Sequence, residues 1–411
     1  MDTTIQKHWI MDSLCSTIAD ISSHEEADKR TTQGNTPNQT RKDTHTMGTT
    51  TAKLFEPMIL RGLTIRNRIW MPAMDTYSAD KLTGMPNLFH HQHYVSRAYG
   101  GFGMIVTEAT AVSKEGLISP HDVGLWNDEQ AQSWKMVTDG VHQAGGAIAV
   151  QLDHSGRKGS TGSFRDGYID QSVPAADGGW QTTAPSPIAF GHYAQPRELT
   201  VDEIHTIVQD FGKSAALAVK AGFDAIQLHG AHGYLISQFL DPLTNRRTDE
   251  YGGSLRNRQR FLVELVDAVR ASIPDTMPLI VRISATDWAE NGWDLDQTIN
   301  TARVLKVHGV DLMDVSSGGI VPDVTIPAKP GYQVSFAAAV RERADIPTTA
   351  VGLILDAKQA ETILEHGEAD AIEVGRLSLR DPYWPLRAAH ELGLSADQAP
   401  YQPQYAAGAF R

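Results

Sequence analysis

Residues 201–230 read VDEIHTIVQDFGKSAALAVKAGFDAIQLHG, and this stretch contains both halves of the unit that decides the fold. Over Val201–Ala221 the apolar residues recur every three or four positions, which predicts an amphipathic helix. Ala225–Gly230 is a short, mainly apolar run, which is typical of a strand that is buried on both faces. The stretch therefore predicts a helix that leads into one strand of a parallel sheet.

The same alternation recurs from about residue 53 onward, and Asn257–Ser272 again has helical spacing. The seven other strand-like runs are Arg68–Met74, Met104–Thr110, Ile148–His154, Leu279–Ser284, Leu312–Gly318, Thr348–Gly352 and Ala371–Arg376. Eight such runs that alternate with helices indicate an α/β protein, and the length of this region fits a single (β/α)8 TIM barrel. A doubly wound open sheet is the structural alternative that strand counting leaves open.

Two segments fall outside this repeat. Leu54–Ile69 carries Arg61-Gly62-Leu63 between apolar residues, which predicts an N-terminal hairpin that closes the floor of the barrel. Ser155–Arg197 is rich in Gly, Ser, Pro and Asp and is too long for an ordinary connection between the third strand and the third helix. We expect this insertion to lie over the mouth of the barrel as a lid or a binding loop.

The composition of the whole chain excludes several classes of protein. The 411 residues carry 36 Lys and Arg against 49 Asp and Glu, a net charge of −13, which argues against nucleic-acid and anionic-membrane partners. No apolar run approaches the roughly 18 residues that would span a bilayer. The single cysteine, Cys15, excludes an internal disulfide and any cysteine-based metal centre. A cytoplasmic protein is expected.

The first 50 residues differ from the rest in composition. They are rich in Thr, Gln, Asn and charged residues and show no sustained helical or strand period, so residues 1–50 are predicted to be a disordered N-terminal extension. Cys15 lies in this extension, and we expect it not to be catalytic. Residues 51–411 are then a single catalytic domain.

Glycines follow the last two predicted strands. Gly352 ends the seventh strand, and Gly375-Arg376 ends the eighth. In a barrel of this type these loops commonly bind phosphate, because glycine lets backbone N–H groups approach the oxygens closely. Arg376 would add a bidentate contact. We therefore favour a phosphate-binding role over simple tight turns.

Two histidines and a tyrosine follow the fourth strand. His229, His232 and Tyr234 lack the neighbouring carboxylate or thiol of a familiar metal motif, so no metal site is predicted. Imidazoles at a strand end can instead donate hydrogen bonds to a substrate oxygen that gains negative charge. A tyrosine, with an ordinary pKa of about 10, suits the donation of a proton to a carbanion beside that oxygen. A structural role in the core is the alternative for each residue.

Ordered motifs along the chain resemble the Old Yellow Enzyme family of FMN-dependent ene-reductases, especially its thermophilic-like bacterial branch. They are Leu54-Phe55-Glu56-Pro57, Asn67-Arg68-Ile69, Gln151-Leu152, Ser155-Gly156-Arg157-Lys158, Ala184-Pro185-Ser186, His229–Leu235, Asp241–Ser254, Val281–Ser284, Pro330–Val334 and Gly375-Arg376. Together they span about residues 53–395. The run Asn-Arg-Arg-Thr-Asp-Glu-Tyr-Gly-Gly-Ser at 245–254 is the most specific of them.

This resemblance implies an FMN that lies across the mouth of a TIM barrel, with NADPH or NADH as its reductant. The residues implied to bind the FMN are Pro72, Ala73, Met74, Asp75, Ala109, Gln151, Arg282, Ser317, Gly318, Gly352, Gly375 and Arg376. Within this set the resemblance gives Gln151 to the pyrimidine edge, Arg282 to the flavin N1 region, and the last five residues to the phosphate.

The implied substrates are small molecules with an activated C=C bond, namely α,β-unsaturated carbonyl or nitro compounds. His229 and His232 would bind the carbonyl or nitro oxygen, Tyr234 would protonate the α-carbon, and Tyr77 would contact the substrate. Two alternatives remain open at this point. One is a flavin nitroreductase or nitrate-ester reductase that uses the same site, and the other is a flavin-free lyase or isomerase that binds a phosphorylated substrate.

The sequence departs from the branch at two positions. Asp75 stands where the branch usually has a cysteine that tunes the flavin potential, and a carboxylate there should disfavour the anionic reduced flavin. Ala407 stands where an arginine usually reaches into the active site of a neighbouring subunit. The sequence therefore leaves the question of a homo-oligomer open.

Overall fold

Eight parallel strands close into a barrel in the computed structural model, which describes residues 52–410. The strands in chain order are β1 (Met58–Leu60), β2 (Leu63–Ile65), β3 (Ile69–Met71), β4 (Met104–Ala111), β5 (Ala147–Asp153), β6 (Thr183–Ala184), β7 (Arg197–Glu198), β8 (Ala225–Gly230), β9 (Leu279–Ser284), β10 (Leu312–Ser316), β11 (Thr348–Ala350) and β12 (Ala371–Glu373). The barrel order is β3-β4-β5-β8-β9-β10-β11-β12. The TIM barrel is thereby confirmed, and the open sheet is wrong. The predicted extension over residues 1–50, with Cys15, lies outside the described residues.

The helices occupy the connections between these strands. They are α1 (Leu88–Tyr99), α2 (Asp128–Gln143), α3 (Val201–Ala221), α4 (Leu235–Leu240), α5 (Leu255–Ser272), α6 (Leu295–Val307), α7 (Val334–Ala344), α8 (Ala357–Glu365), α9 (Gly375–Arg380) and α10 (Trp384–Glu391). Their apolar faces pack on the outside of the barrel in one continuous core. None of the helices in the described part of the chain has both the length and the apolar character needed to cross a bilayer.

Helix α3 begins and ends where the sequence pattern predicts, because both of its ends are capped. The Thr200 side chain accepts a hydrogen bond from the Glu203 backbone N–H, and the Glu203 carboxylate accepts one from the Thr200 N–H at 2.8 Å. At the other end Gly222 has a φ of 87°, a conformation that glycine adopts without steric cost. The capping box and this glycine fix the helix to residues 201–221.

Thr200→Ala is expected to lower the free energy of unfolding by about 1 kcal/mol, because it removes the acceptor for the Glu203 N–H. The measurement is the midpoint of a urea titration followed by circular dichroism. Thr206→Ala is the matched control, since Thr206 is an exposed threonine on the same helix that plays no part in the cap. Equal midpoints for the two variants would contradict a stabilising role for the cap.

Strand β3 is shorter than predicted. The sequence pattern covers Arg68–Met74, but the strand ends at Met71 because Pro72 has no N–H to donate to a neighbouring strand. The chain from Pro72 onward leaves the sheet at the carboxyl end of the barrel. This departure brings residues 72–75 over the mouth instead of into the wall.

The floor of the barrel is closed by the hairpin of β1 and β2, as the sequence predicts. Its turn donates the Gly62 N–H to the Thr276 carbonyl at 3.0 Å, and Arg61 pairs with Asp311 at 2.8 Å. Thr276 and Asp311 precede β9 and β10, so the contacts lie at the amino ends of the strands. Met58, Leu60 and Ile65 of the hairpin pack against apolar side chains inside the barrel.

The barrel interior consists of two layers of opposite character, because alternate residues of a strand face the same side. The lower layer is apolar and contains Trp70, Ala149, Ala225, Ile280, Leu312 and Ala371. Two positions further along their strands, Gln151, Gln227, Arg282, Asp314 and Glu373 are polar and, with Thr349, form what we call the interior polar layer; all six are buried. This layer lies on the side of the carboxyl ends and forms the base of the mouth.

Candidate active site

A cavity of about 310 Å³ opens at the carboxyl ends of the strands. Of the sixteen residues that the sequence analysis names, thirteen line it: Pro72, Ala73, Met74, Asp75, Tyr77, Gln151, His229, His232, Tyr234, Arg282, Gly352, Gly375 and Arg376. They come from six different strand ends and their loops. The barrel topology therefore brings together residues that are up to 304 positions apart in the chain, from 72 to 376.

The three other named residues lie just outside the cavity wall. The Ala109 N–H donates to the Asp75 carboxylate at 3.0 Å, and the Ala109 side chain packs against Tyr234 and Ile118. The Ser317 hydroxyl donates to the Gln333 amide oxygen at 2.6 Å, so that the cavity is lined by Gln333 in place of Ser317. Gly318 accepts a hydrogen bond from Ser284 through its carbonyl. These three residues therefore hold other residues of the site in place and do not line the cavity themselves.

His229, His232 and Tyr234 form one cluster on the wall of the cavity. The ring of His229 is centred 5.2 Å from that of His232 and 4.9 Å from that of Tyr234. The turn between them is fixed by Gly233, whose φ is 77° and where a Cβ atom would lie only 2.2 Å from the Gly319 carbonyl oxygen. Within residues 52–410 no group of three or more His, Cys, Asp or Glu side chains is arranged to hold a metal ion.

The environment of His232 keeps its imidazole neutral. Burial lowers the pKa of His232 well below its ordinary value, and the charges of Arg282, His229 and Lys158 lower it further. The His232 N–H of the backbone donates to the Ser284 hydroxyl at 2.9 Å, and the ring Nε2 lies 2.7 Å from the Ser316 hydroxyl oxygen. A neutral imidazole carries one N–H and one acceptor nitrogen. Such a ring is a hydrogen-bond donor without a net charge.

Lys158, at the start of the insertion, is a cation that packs against this cluster. Its ammonium donates to the His232 carbonyl at 3.0 Å and lies 4.7 Å from the centre of the Tyr234 ring. Lys158 is buried, although lysine is one of the residues that are most rarely buried. The sequence motif contains this lysine but gives no sign that it would fold against Tyr234.

The interior polar layer is joined by hydrogen bonds between the strands of the barrel. Gln151 donates to Gln227 at 2.7 Å, and Gln227 donates to Asp314 at 3.0 Å. Asp314 also pairs with Arg282 at 3.1 Å. Gln151 and Arg282 therefore present their polar groups to the cavity from fixed positions.

Another group of residues in the cavity wall has the features of a phosphate site. Gly352 has a φ of 114°, and a Cβ atom there would lie 2.7 Å from the Tyr332 ring. Arg376 and Arg380 also line the cavity, and no acidic side chain of residues 52–410 forms an ion pair with Arg376. Two cations beside a glycine-containing loop suit a dianion.

The complete set of wall residues suits FMN, which the resemblance implies. The wall combines amide and guanidinium groups from Gln151 and Arg282, apolar side chains from Pro72 and Met74, and two arginines with Gly352. These three kinds of group are what a pyrimidine edge, a ring system and a phosphate require.

Several wall residues were missed by the sequence analysis, notably Phe164, Tyr332, Gln333 and Glu373. Phe164 comes from the long insertion and packs edge-on against Tyr77, with ring centres 6.3 Å apart. The insertion thus reaches the mouth, as expected of it. Glu373 is an acid within an apolar strand run, which is the one signal that could have singled it out.

Asp75→Cys is expected to raise the midpoint potential of the bound flavin, because it removes a carboxylate from the cavity wall. A unit charge about 6 Å from the charge of the anionic reduced flavin, at an effective dielectric constant of about 20, raises the free energy of that form by roughly 3 kcal/mol. For a two-electron couple this is about 60 mV, since about 30 mV corresponds to 1.4 kcal/mol. The measurement is a spectroelectrochemical titration.

Asp75→Asn is the matched control for this prediction, since it removes the charge without adding a thiol. Both variants should raise the potential to a similar extent. An unchanged potential in both would show that the Asp75 carboxylate does not act on the flavin.

Comparison with known proteins gives the family. The model of the NADH:flavin oxidoreductase / NADH oxidase family matches residues 53–395. The NADPH dehydrogenase of Halalkalibacterium halodurans is 46% identical over 341 residues, which are 83% of this chain and 95% of the relative. The NADPH dehydrogenase of Bacillus subtilis is 44% identical over 357 residues, or 87% of this chain and 99% of the relative.

Solved structures give the same answer for the fold. The Old Yellow Enzyme homologue of Zymomonas mobilis superimposes with a TM-score of 0.69 at 30% identity and covers 86% of this chain and 98% of its own. Morphinone reductase in complex with tetrahydroNAD superimposes with a TM-score of 0.68 at 30% identity and covers 83% of this chain and 92% of its own. The flavin-free lyase or isomerase is therefore wrong. The chain belongs to the NADH:flavin oxidoreductase / NADH oxidase family, that of Old Yellow Enzyme, and is an FMN-dependent NAD(P)H oxidoreductase.

Proposed function

We propose that this oxidoreductase is an ene-reductase, which reduces the activated C=C bond of α,β-unsaturated carbonyl or nitro compounds. The observation that supports this most is the cluster of His229, His232 and Tyr234 on one wall of the cavity. It combines hydrogen-bond donors for an oxygen that becomes negative with an acid for the α-carbon, next to the carbonyl carbon.

When bound, FMN supplies a hydride that it has received from NADPH or NADH. The residues of the chain bind the cofactor and the substrate and supply the proton. Gln151 and Arg282 are proposed to hold the pyrimidine edge, and Gly352, Gly375 and Arg376 the phosphate, while Ser317 and Gly318 support that end through Gln333 and Ser284. Pro72, Ala73 and Met74, with Asp75 and Ala109 nearby, would provide the contacts for the ring system.

His229 and His232 are proposed to bind the carbonyl or nitro oxygen of the alkene. Since His232 is neutral, it stabilises the charge that appears on that oxygen by donating a hydrogen bond and does not transfer a proton to it. A buried donor of this kind is fixed before the reaction, so little reorganisation is needed. Tyr77, which also lines the cavity, would contact the rest of the substrate.

Tyr234 is proposed to protonate the α-carbon. Its ring lies 4.9 Å from that of His229, so an alkene whose oxygen is held by the histidines has its neighbouring carbon near the phenol. The Lys158 ammonium, 4.7 Å from the ring centre, stabilises the negative charge that the phenol acquires when it gives up its proton.

The test is an anaerobic stopped-flow experiment in two steps. The enzyme is first reduced with NADPH and then mixed with cyclohexenone or, as the control, with the saturated ketone cyclohexanone. We expect rapid reoxidation of the flavin with cyclohexenone alone and recovery of cyclohexanone as product. Reoxidation by nitrobenzene or a nitrate ester but by no enone would favour the nitroreductase instead.

A further inference from the structure

The interior polar layer contains two acids and one base. Asp314 on β10, Glu373 on β12 and Arg282 on β9 are between 0% and 4% exposed. Three ionised groups would leave one net negative charge inside the barrel, directly below the cavity. Since an uncompensated buried charge is expensive, one of the two carboxyl groups must hold a proton.

The hydrogen bonds show which carboxyl group keeps the charge. Asp314 accepts from Gln227 at 3.0 Å and from the Thr349 hydroxyl at 3.2 Å, and its carboxylate lies 3.1 Å from the Arg282 guanidinium. An acid that accepts two hydrogen bonds and lies beside a cation is stabilised in its ionised form. Asp314 is thus the ionised carboxylate that neutralises the charge of Arg282.

Glu373 is placed to hold the proton. Burial raises the pKa of Glu373 well above its ordinary value, and the neighbouring Asp314 charge raises it further. The charged groups that face it are Asp314 and Arg282, because the adjacent strands β3 and β11 contribute no titratable side chain. Glu373 also reaches the cavity wall.

We propose that Asp314 and Glu373 form a counter-ion pair that shares a single negative charge and so neutralises the charge of Arg282 in the cavity wall. Glu373 is a positioning residue: it holds the spare proton and takes over the charge if Asp314 loses it. The net charge near a flavin tunes its potential, so this pair keeps the potential constant against changes at either carboxyl. This inference rests on the FMN cofactor and does not depend on the reduction of alkenes.

The test compares three variants of the holoenzyme: Glu373→Gln, Asp314→Asn and the double variant. The midpoint potential of the bound FMN is measured at pH 7 without substrate. Both single variants should match the wild type, because one negative charge remains beside Arg282 in each. The double variant should raise the potential. The reduced FMN would then bind more tightly relative to the oxidised FMN, by a factor on the order of ten in the ratio of their dissociation constants.

Two results would overturn the proposal. One is a Glu373→Gln potential as high as that of the double variant, which would mean that Glu373 is ionised in the wild type. The other is an effect of the double variant that equals the sum of two substantial single effects, which would mean that the carboxyl groups act independently. Thr349→Val is the uncharged control, since it removes a hydrogen bond to Asp314 without changing any charge.

An infrared difference spectrum tests the proton directly. Its decisive comparison, with Glu373→Gln, needs only one variant. The wild type minus Glu373→Gln should show the C=O stretch of a protonated, buried carboxyl group at pH 7. The wild type minus Asp314→Asn should show the same band, because Glu373 becomes ionised when Asp314 is neutralised. If the first difference contains the bands of an ionised carboxylate instead, the proposal is wrong even if Asp314→Asn fails to fold.

Discussion

Tyr234→Phe is expected to slow the reduction of an enone by roughly 10²- to 10⁴-fold, the usual contribution of a positioned general acid. Reduction of the flavin by NADPH should keep the wild-type rate, because no proton from this residue is needed in that step. The phenol is buried in the cavity wall beside His229 and Lys158, and phenylalanine keeps the same ring there. Stopped-flow measurement of the two half-reactions separates the two effects.

Tyr168→Phe is the matched control for this prediction. Its hydroxyl donates to Asp177 at 2.6 Å and lies on the insertion, outside the cavity wall. Both half-reactions of this variant should match the wild type. A Tyr234→Phe enzyme that reduces enones at the wild-type rate would show that the proton comes from another group.

Arg282→Met is expected to lower the free energy of unfolding by about 3–5 kcal/mol at pH 8, the usual cost of removing one partner of a buried ion pair. The guanidinium is 5% exposed, and it compensates Asp314, which is 1% exposed. Methionine fills much of the same volume, so the loss reflects charge more than packing. The measurement is a urea titration at a fixed FMN concentration.

The pH dependence of this loss gives a second check. Burial raises the pKa of Asp314 even in the presence of Arg282, and removal of the cation raises it further. An acid whose pKa is raised on folding destabilises the protein above the pKa of the unfolded state and costs nothing below it. The deficit of Arg282→Met should therefore be smaller at pH 5 than at pH 8. Arg282→Lys, which keeps the charge, should lose less at both values, and a deficit independent of pH would argue for packing as the cause.

The barrel could be predicted from the sequence because each of its strands is buried on both faces. A run such as Ala225–Gly230 has to be almost continuously apolar for that reason, and so its ends show in the sequence. The same rule places His229, Gln151 and Arg282 near the carboxyl ends, where barrels hold their active sites. These parts of the prediction depend only on local pattern and on a known topology.

The rest of the site depends on contacts that no local pattern encodes. Glu373 is placed to hold a proton because Asp314, on another strand, lies beside it. Lys158 contacts Tyr234 because the insertion folds back over that residue. Phe164 reaches the mouth from the middle of a segment without regular structure. The register between β4 and β5 shifts between Val106 and Ala109, and Ala109 therefore packs beside the cavity instead of lining it.

The two layers inside the barrel have a consequence for redesign of this enzyme. Along one strand, such as β9, Ile280 belongs to the part that keeps the protein folded, and Arg282 belongs to the part that handles charge. The two tasks are separated by a single alternate position, about 7 Å of chain. Mutagenesis libraries directed at the interior polar layer should therefore change charges in compensating pairs, so that new redox behaviour is sought while the apolar packing below and the stability of the fold are kept.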